Sequence, residues 1–509
     1  MNLSTEKINI LNLLCVSEPE SIELAKLLIM GLNWNINDWL YKNGYHLFGL
    51  SSVDDFVQQK ITLCDINAHK WPAFLPKSIK EMYVFNYTSN RLPDNLPPFV
   101  EKLTIKTNSI TSFANVKTHS LRVLDISKCK LEQLPDNLPD ILEELDCSWN
   151  ALQELPDTLP RNLQYLYCNN NKISQLPDLT KTQITILNCN ENQISDINPL
   201  TKLNLYKLYA GHNQISELPN LGDKMIDLNI SNNKLSRLPD VLPDGLNFIN
   251  AENNQIEGVF DYEMPFLREL YLNNNQISGI NIDKLGNLET LELANNQLTD
   301  IILSVPDLLI REMDISNNQI SQLATEFLPD LKRLNADDNR LKQLNLDKCA
   351  NLGFLYISNN LFTTLPNLPD SLWETIKCNY NQISQLPEIC PTTIDGLEIN
   401  HNCLTEIPVS WANTLTYLYC THNQISQLPD TEYRNITNLD CSYNQISNLP
   451  QRLVDTLLYL EAVGNQITQP LDLSQSRIID LDLSENPLRS PQEFPDKFTV
   501  EIAGYKGKK

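Results

Sequence analysis

The sequence predicts an α/β repeat solenoid: a parallel β-sheet that gains one strand per turn, a mostly extended opposite side, and a helical cap at the N-terminus. Three observations carry this. An Asn recurs at a nearly constant step along most of the chain. The six residues before each Asn carry apolar side chains at alternating positions. A Leu-Pro pair follows many of the Asn residues. Regular self-similarity of this kind marks a stacked architecture in which no repeat buries its core alone.

The Asn falls at Asn108, Asn150, Asn171, Asn192, Asn213, Asn233, Asn254, Asn275 and Asn296, with Cys129 filling one slot. It continues at Asn318, Asn339, Asn360, Asn381, Asn402, Asn423, Asn444, Asn465 and Asn486, making 19 repeats. The step is 21 residues except for 20 before Asn233 and 22 before Asn318. Leu163, Leu166 and Cys168 illustrate the apolar positions one, four and six; the alternation across positions four to six has period two and predicts a short strand. Parallel strands lie about 4.8 Å apart, so the array traces an arc of about 90 Å. The Asn ends each strand, and its amide is expected to pair backbone groups of adjacent turns. Asn150, Asn171, Asn192, Asn213, Asn275, Asn381, Asn423 and Asn444 are expected members of such a ladder. Runs such as Leu134-Pro-Asp-Asn-Leu-Pro139 and Leu365-Pro-Asn-Leu-Pro369 disfavour helix and predict an extended return path.

Leu163–Pro177 and Leu415–Pro429 both fit the template LxxLxLxxNxLxxLP. This resembles the leucine-rich-repeat family, in its short bacterial LPxLP form, and is similar to secreted leucine-rich-repeat effectors. The resemblance implies a curved right-handed horseshoe with the sheet on its concave face. Some such effectors carry a C-terminal ubiquitin-ligase domain with a catalytic Cys. The repeats here run to Asn486, so that activity is not carried over.

The chain is accordingly divided into a helical cap region (1–60), degenerate first repeats (61–99, with Met82 and Val84 inward and Tyr87 in the Asn slot), nineteen repeats (100–488), and a short C-terminal cap with a basic tail (489–509). Within the cap, Ser4-Thr5-Glu6-Lys7 opens one helix. Ser17-Glu-Pro-Glu20 opens a second that stops near Gly31, and Val53–Gln59 is a third.

Composition narrows function. A formal charge of −24 disfavours nucleic acid and anionic lipid as partners, and 14 Gly leave little for phosphate-binding loops. No GxSxG, P-loop, HExxH or kinase motif occurs, so no enzyme activity, cofactor or metal is expected. Cys147, Cys168, Cys189, Cys378, Cys420 and Cys441 occupy inward position six, where free Cys packs as a small apolar residue. Reduced thiols and the lack of an export signal point to a cytoplasmic setting, of the producing cell or of a host.

Positions three, five, seven and eight are expected to face outward. Position five is acidic in eight repeats, Tyr in five and basic only at Lys377, which fits a protein partner with a basic surface. The candidate contacts are Tyr165, Tyr167, Tyr209, Tyr271, Phe354, Tyr356, Tyr417 and Tyr419, joined by His401, His422 and Tyr443 at position eight. His401 and His422 lie on consecutive repeats without a further ligand at metal spacing, so ring stacking or partner contact is expected there. The expected function is a monomeric, non-enzymatic protein-interaction scaffold or adaptor. The alternative is an effector-like protein that modulates host signalling.

Overall fold

The computed structural model describes residues 3–16, 19–32, 34–43, 50, 52–57, 59–65, 72, 74–91, 96–107, 109–110, 120–135 and 138–489. The chain divides into two compact units, Met1–Leu246 and Asn247–Lys509. Ser17, Glu18, Asn108 and the tail from residue 490 onward, which carry some of the expectations above, lie outside the described residues.

The first unit opens with helices α1 (Thr5–Val16), α2 (Pro19–Gly31) and α3 (Ile36–Lys42). The Ser4 hydroxyl accepts the Lys7 amide and caps α1, whose Ile10, Leu11 and Leu14 are buried. The third helix differs from expectation. It is α3, held by buried Ile36 and Leu40 one turn apart, whereas Val53–Val57 is only a 3₁₀ turn. Asp55 accepts the backbone N–H of Ser52 at 2.6 Å and holds that turn tight. Strand formation begins with Lys60–Cys64, which pairs in parallel with Glu81–Phe85, and that strand pairs with Lys102–Lys106. Six more strands follow in register, one per repeat, to Asp227–Asn229.

The second unit repeats the pattern from Phe248–Asn250 to Asp480–Asp482. In most three-residue strands the middle Leu or Ile is buried and its neighbours half-buried, the expected signature of alternation. The return path is mostly extended, broken in this unit by 3₁₀ turns at Ile282–Lys284 and Thr325–Phe327, by a second sheet and by two short helices. Three of its segments, Glu257–Phe260, Gln276–Asn281 and Asp300–Ile302, pair as a second parallel sheet. Two short helices, α4 (Val409–Thr414) and α5 (Gln451–Thr456), each start directly after a Pro that stands at the N-cap with non-helical backbone. In α4, Trp411 is fully buried and donates its indole N–H to the Pro387 carbonyl at 2.8 Å.

The Asn residues form a hydrogen-bonded column. Asn171 Nδ2 donates to the carbonyls of Cys168 in its own turn and Cys147 in the preceding one, each at 3.0 Å. Its Oδ1 accepts the Leu152 amide at 3.0 Å. Asn150, Asn192, Asn213, Asn275, Asn381, Asn423 and Asn444 repeat this geometry. Cys129 imitates the donor half: its thiol points to the Ile105 and Ser127 carbonyls at 3.3 and 3.5 Å.

Candidate recognition surface

Three template positions build the exposed strand face, and each obeys a different constraint. Position eight, directly before the ladder Asn, adopts positive φ in every turn from Lys128 to Glu485. Only the left-handed region turns the chain sharply enough to aim the next side chain back into the solenoid. Asn and Gly tolerate it, whereas bulky side chains are strained there. Asn232, Asn253, Asn274, Asn295, Asn317 and Asn359 follow that preference. Tyr380, His401, His422 and Tyr443, on four consecutive turns, do not, with φ between 53° and 55°.

Position seven lies on the same face and is half-buried in most turns. The small side chains Ser127, Ser148, Ser231, Ser358 and Ser442 are covered by their neighbours, and the Ser148 hydroxyl donates to Asp146 at position five at 2.6 Å. The position-seven backbone N–H needs an acceptor, and the structure supplies one in two ways. Where position five is Asp or Asn, that side chain bends back and accepts the N–H in the same turn, as in Asp146 to Ser148 (3.0 Å), Asn229 to Ser231 (3.1 Å) and Asp440 to Ser442 (3.0 Å). Where position five is Tyr, Glu or Lys, the acceptor is often the position-seven side chain of the preceding turn. Asn379 accepts from Asn400 and Asn400 from Thr421, each at 2.8 Å, and Ser442 Oγ accepts from Val463 at 3.1 Å. The short acids at position five are therefore turn-formers first. The longer side chains do not take part in that turn.

This separates the candidates. Tyr356, Lys377, Glu398 and Tyr419 are four successive long residues at position five, and they share their part of the second unit with the position-eight run. The rings of that run are stacked. Tyr380 lies 4.2 Å from His401 with near-parallel planes; His401 lies 4.1 Å from His422 and His422 4.5 Å from Tyr443, both edge-on. Tyr380 and Tyr443 are about half exposed, at 53% and 46%. Burial, helped by His422, lowers the affinity of His401 for a proton. The Tyr417 and Tyr419 rings are 5.6 Å apart. Burial, then the charges of Asp395 and Glu398, push the Tyr417 phenol up to about 12. Phe354 meets Trp373 edge-on at 5.0 Å, Arg333 lies over Phe354 and Tyr356, and Lys377 over Tyr356.

Glycines shape this surface. A Cβ on Gly396, at position three, would sit 2.0 Å from the Tyr417 ring. On Gly353 it would meet Trp373 Nε1 at 2.5 Å, and on Gly464, at position eight, the Tyr443 ring at 2.7 Å. Each ring thus lies over a glycine of the turn before or after it.

The other candidates stand apart from this cluster. Tyr165, Tyr167 and Tyr209 belong to the first unit, where the Tyr209 hydroxyl meets Asp227 at 3.3 Å. Tyr271 is in the second unit but is engaged locally, with Glu269 at 2.9 Å and the Phe248 ring at 5.6 Å. Sequence reading missed Trp373, which by count stands at inward position one. The indole is 55% exposed, and Leu372, one residue earlier, fills the core instead. The missed signal is Gly353, directly before a strand, where Gly marks close approach by another group. Among the described residues no three His, Cys, Asp or Glu side chains gather to hold a metal, and no helix is long and apolar enough to cross a membrane.

Family models described as leucine-rich repeats match residues 161–202, 265–308 and 120–141. Among solved structures, YopM from Yersinia enterocolitica WA-314 aligns over 84% of this chain and 92% of its own, with 26% identity and a TM-score of 0.67. The functional domain of InlJ from Listeria monocytogenes, described as including a cysteine ladder, aligns over 60% of this chain and 69% of its own, with 25% identity and a TM-score of 0.53. The Arabidopsis receptor kinase HAESA, solved with the peptide hormone IDA and the co-receptor SERK1, shares the fold at 21% identity, covering 81% of this chain and 79% of its own with a TM-score of 0.59. No curated protein matches the chain at the level of sequence.

Proposed function

We propose that this leucine-rich-repeat protein, which resembles YopM-type effectors, is a non-enzymatic scaffold that docks a partner protein on the strand face of its second unit. The observation that carries this is the run of strained rings at Tyr380, His401, His422 and Tyr443 beside the long position-five residues Tyr356, Lys377, Glu398 and Tyr419. Backbone strain of order 1 kcal/mol per residue persists where something beyond stability selects it. Exposed aromatic side chains are the usual anchors of interfaces. The protein acts as a monomer, and its partner presents basic surface; the net charge of −24 favours such an encounter. Capture of partners with the full chain, identified by mass spectrometry and repeated with Tyr417→Ala/Tyr419→Ala, tests this. Loss of a specific partner from the variant is expected, and equal recovery of every partner would remove the assignment.

A second reading is that the scaffold works as an effector in the cytoplasm of a host cell, where it modulates signalling. The alignment to YopM over most of both chains supports it. A reporter fused to the full chain and expressed in a secretion-competent bacterium should reach host cytoplasm; retention in the producing cell would leave the scaffold acting at home.

A further inference from the structure

We infer that the row Tyr380–His401–His422–Tyr443 is a seat for an extended, arginine-bearing segment of the partner. This rests on the scaffold reading and specifies the chemistry recognised. Four rings on four consecutive turns, with centroids 4.1–4.5 Å apart, form a continuous aromatic strip. Side chains on one face of an extended peptide repeat about every 6.6–7 Å, so alternate residues of a segment running along the strip meet successive parts of it.

The strip lacks a cation of its own. Arg333 and Lys377 lie over Phe354 and Tyr356, and Lys377 also pairs with Glu398 at 3.2 Å. Among the described residues no Lys or Arg lies over any of the four rings of the strip. The chain as a whole is acidic, with a net charge of −24, and the strip itself ends beside a carboxylate. At the far end the Tyr443 ring and the Glu485 carboxylate both lie close to where a Cβ on Gly464 would be, at 2.7 and 3.6 Å. An aromatic ring with a carboxylate beside it suits a cation that both stacks and pairs. A planar guanidinium does this better than an ammonium, which is compact and strongly hydrated. The Asn and Asp residues that fill this column in the turns from Asn232 to Asn359 show that the fold itself does not require rings there.

The test is fluorescence anisotropy with a labelled peptide of alternating Arg and Ser, compared with Lys/Ser and Glu/Ser peptides at physiological salt. The full chain is compared with Tyr380→Asn/His401→Asn/His422→Asn/Tyr443→Asn, which keeps the formal charge and installs the residue other turns use. The thermal melt of each protein shows that it is folded. The expected result is at least about tenfold weaker binding of the Arg/Ser peptide by the variant, a Lys/Ser peptide several-fold weaker than Arg/Ser on the wild type, and no change for the control Trp149→Asn. Equal binding by wild type and the four-site variant overturns the seat, because attraction would then be to net charge alone. So does the absence of binding by the wild type. If either of those outcomes occurs while Tyr417→Ala/Tyr419→Ala still loses a partner, the seat falls and the scaffold reading stands.

Discussion

At the scale of single residues, the column of Asn side chains ties each turn to the next. Each amide joins two turns through buried backbone groups, so deleting one strands several partners at once. Asn171→Ala should destabilise the protein by about 1–3 kcal/mol, read as a lowered melting temperature. An unchanged melt would mean that those backbone groups find other partners. Asp337 gives a pH-dependent counterpart. Burial is the main cause that pushes its carboxyl up to about 6, although it accepts the Ser358 amide at 2.5 Å. The folded state therefore holds a proton that the unfolded chain releases near the ordinary value of 3.8. The stabilisation from this site is fully present below the unfolded value and is lost as pH rises through about 6. Asp337→Asn should accept the same N–H without that loss. We expect it to raise stability at pH 7 by ~1 kcal/mol after solvent screening, and to flatten the dependence between pH 4 and 6. A variant no more stable than wild type at pH 7 would contradict the buried charge.

At the scale of the repeat, position five divides into turn-formers and longer side chains outside that turn, and the division predicts unequal mutational costs. Asp440→Ala removes the acceptor of the Ser442 N–H and should cost about 1 kcal/mol. Glu461→Ala, one turn on, leaves the Val463 N–H bonded to Ser442 Oγ and relieves repulsion from Asp440 and Asp482, so it should be neutral or stabilising. Paired chemical denaturation of the two variants measures the difference; equal losses would dissolve the distinction. The strands, the Asn column and the inward Cys residues were all legible in the sequence, because each follows from a residue type repeating at fixed spacing. What was not legible depends on neighbours in space. The side chains at Ser148 and Ser442 look solvent-exposed by alternation, yet neighbours on the same face cover them: the Ser148 hydroxyl donates to Asp146 and Ser442 Oγ accepts the Val463 N–H. Trp373 reads as a core residue by count and is displaced outward because Leu372 takes the slot. The overlap of Tyr417 with Gly396 joins residues one full turn apart, and only the register of the sheet brings them together.

At the scale of the whole molecule, stability is a sum over neighbouring turns, and the buried cysteines report on it. Cys147, Cys168 and Cys189 lie in the first unit and Cys378, Cys420 and Cys441 in the second; all six are buried and free. Burial pushes these thiols well up, Cys189 to about 12, so they resist alkylation while their turns remain closed. Cys64 is exposed and should be labelled first in the native protein. Leu418 is 2% exposed, and Leu418→Ala should cost about 2–5 kcal/mol through the cavity it leaves. In a stacked array that loss falls on adjoining turns before distant ones. Mass spectrometry of pulse-alkylated Leu418→Ala should therefore show Cys420 and Cys441 reacting sooner than in the wild type, with Cys147, Cys168 and Cys189 unchanged. Parallel acceleration at all six would mean that the chain opens in one global step, and nearest-neighbour stacking would no longer account for its stability.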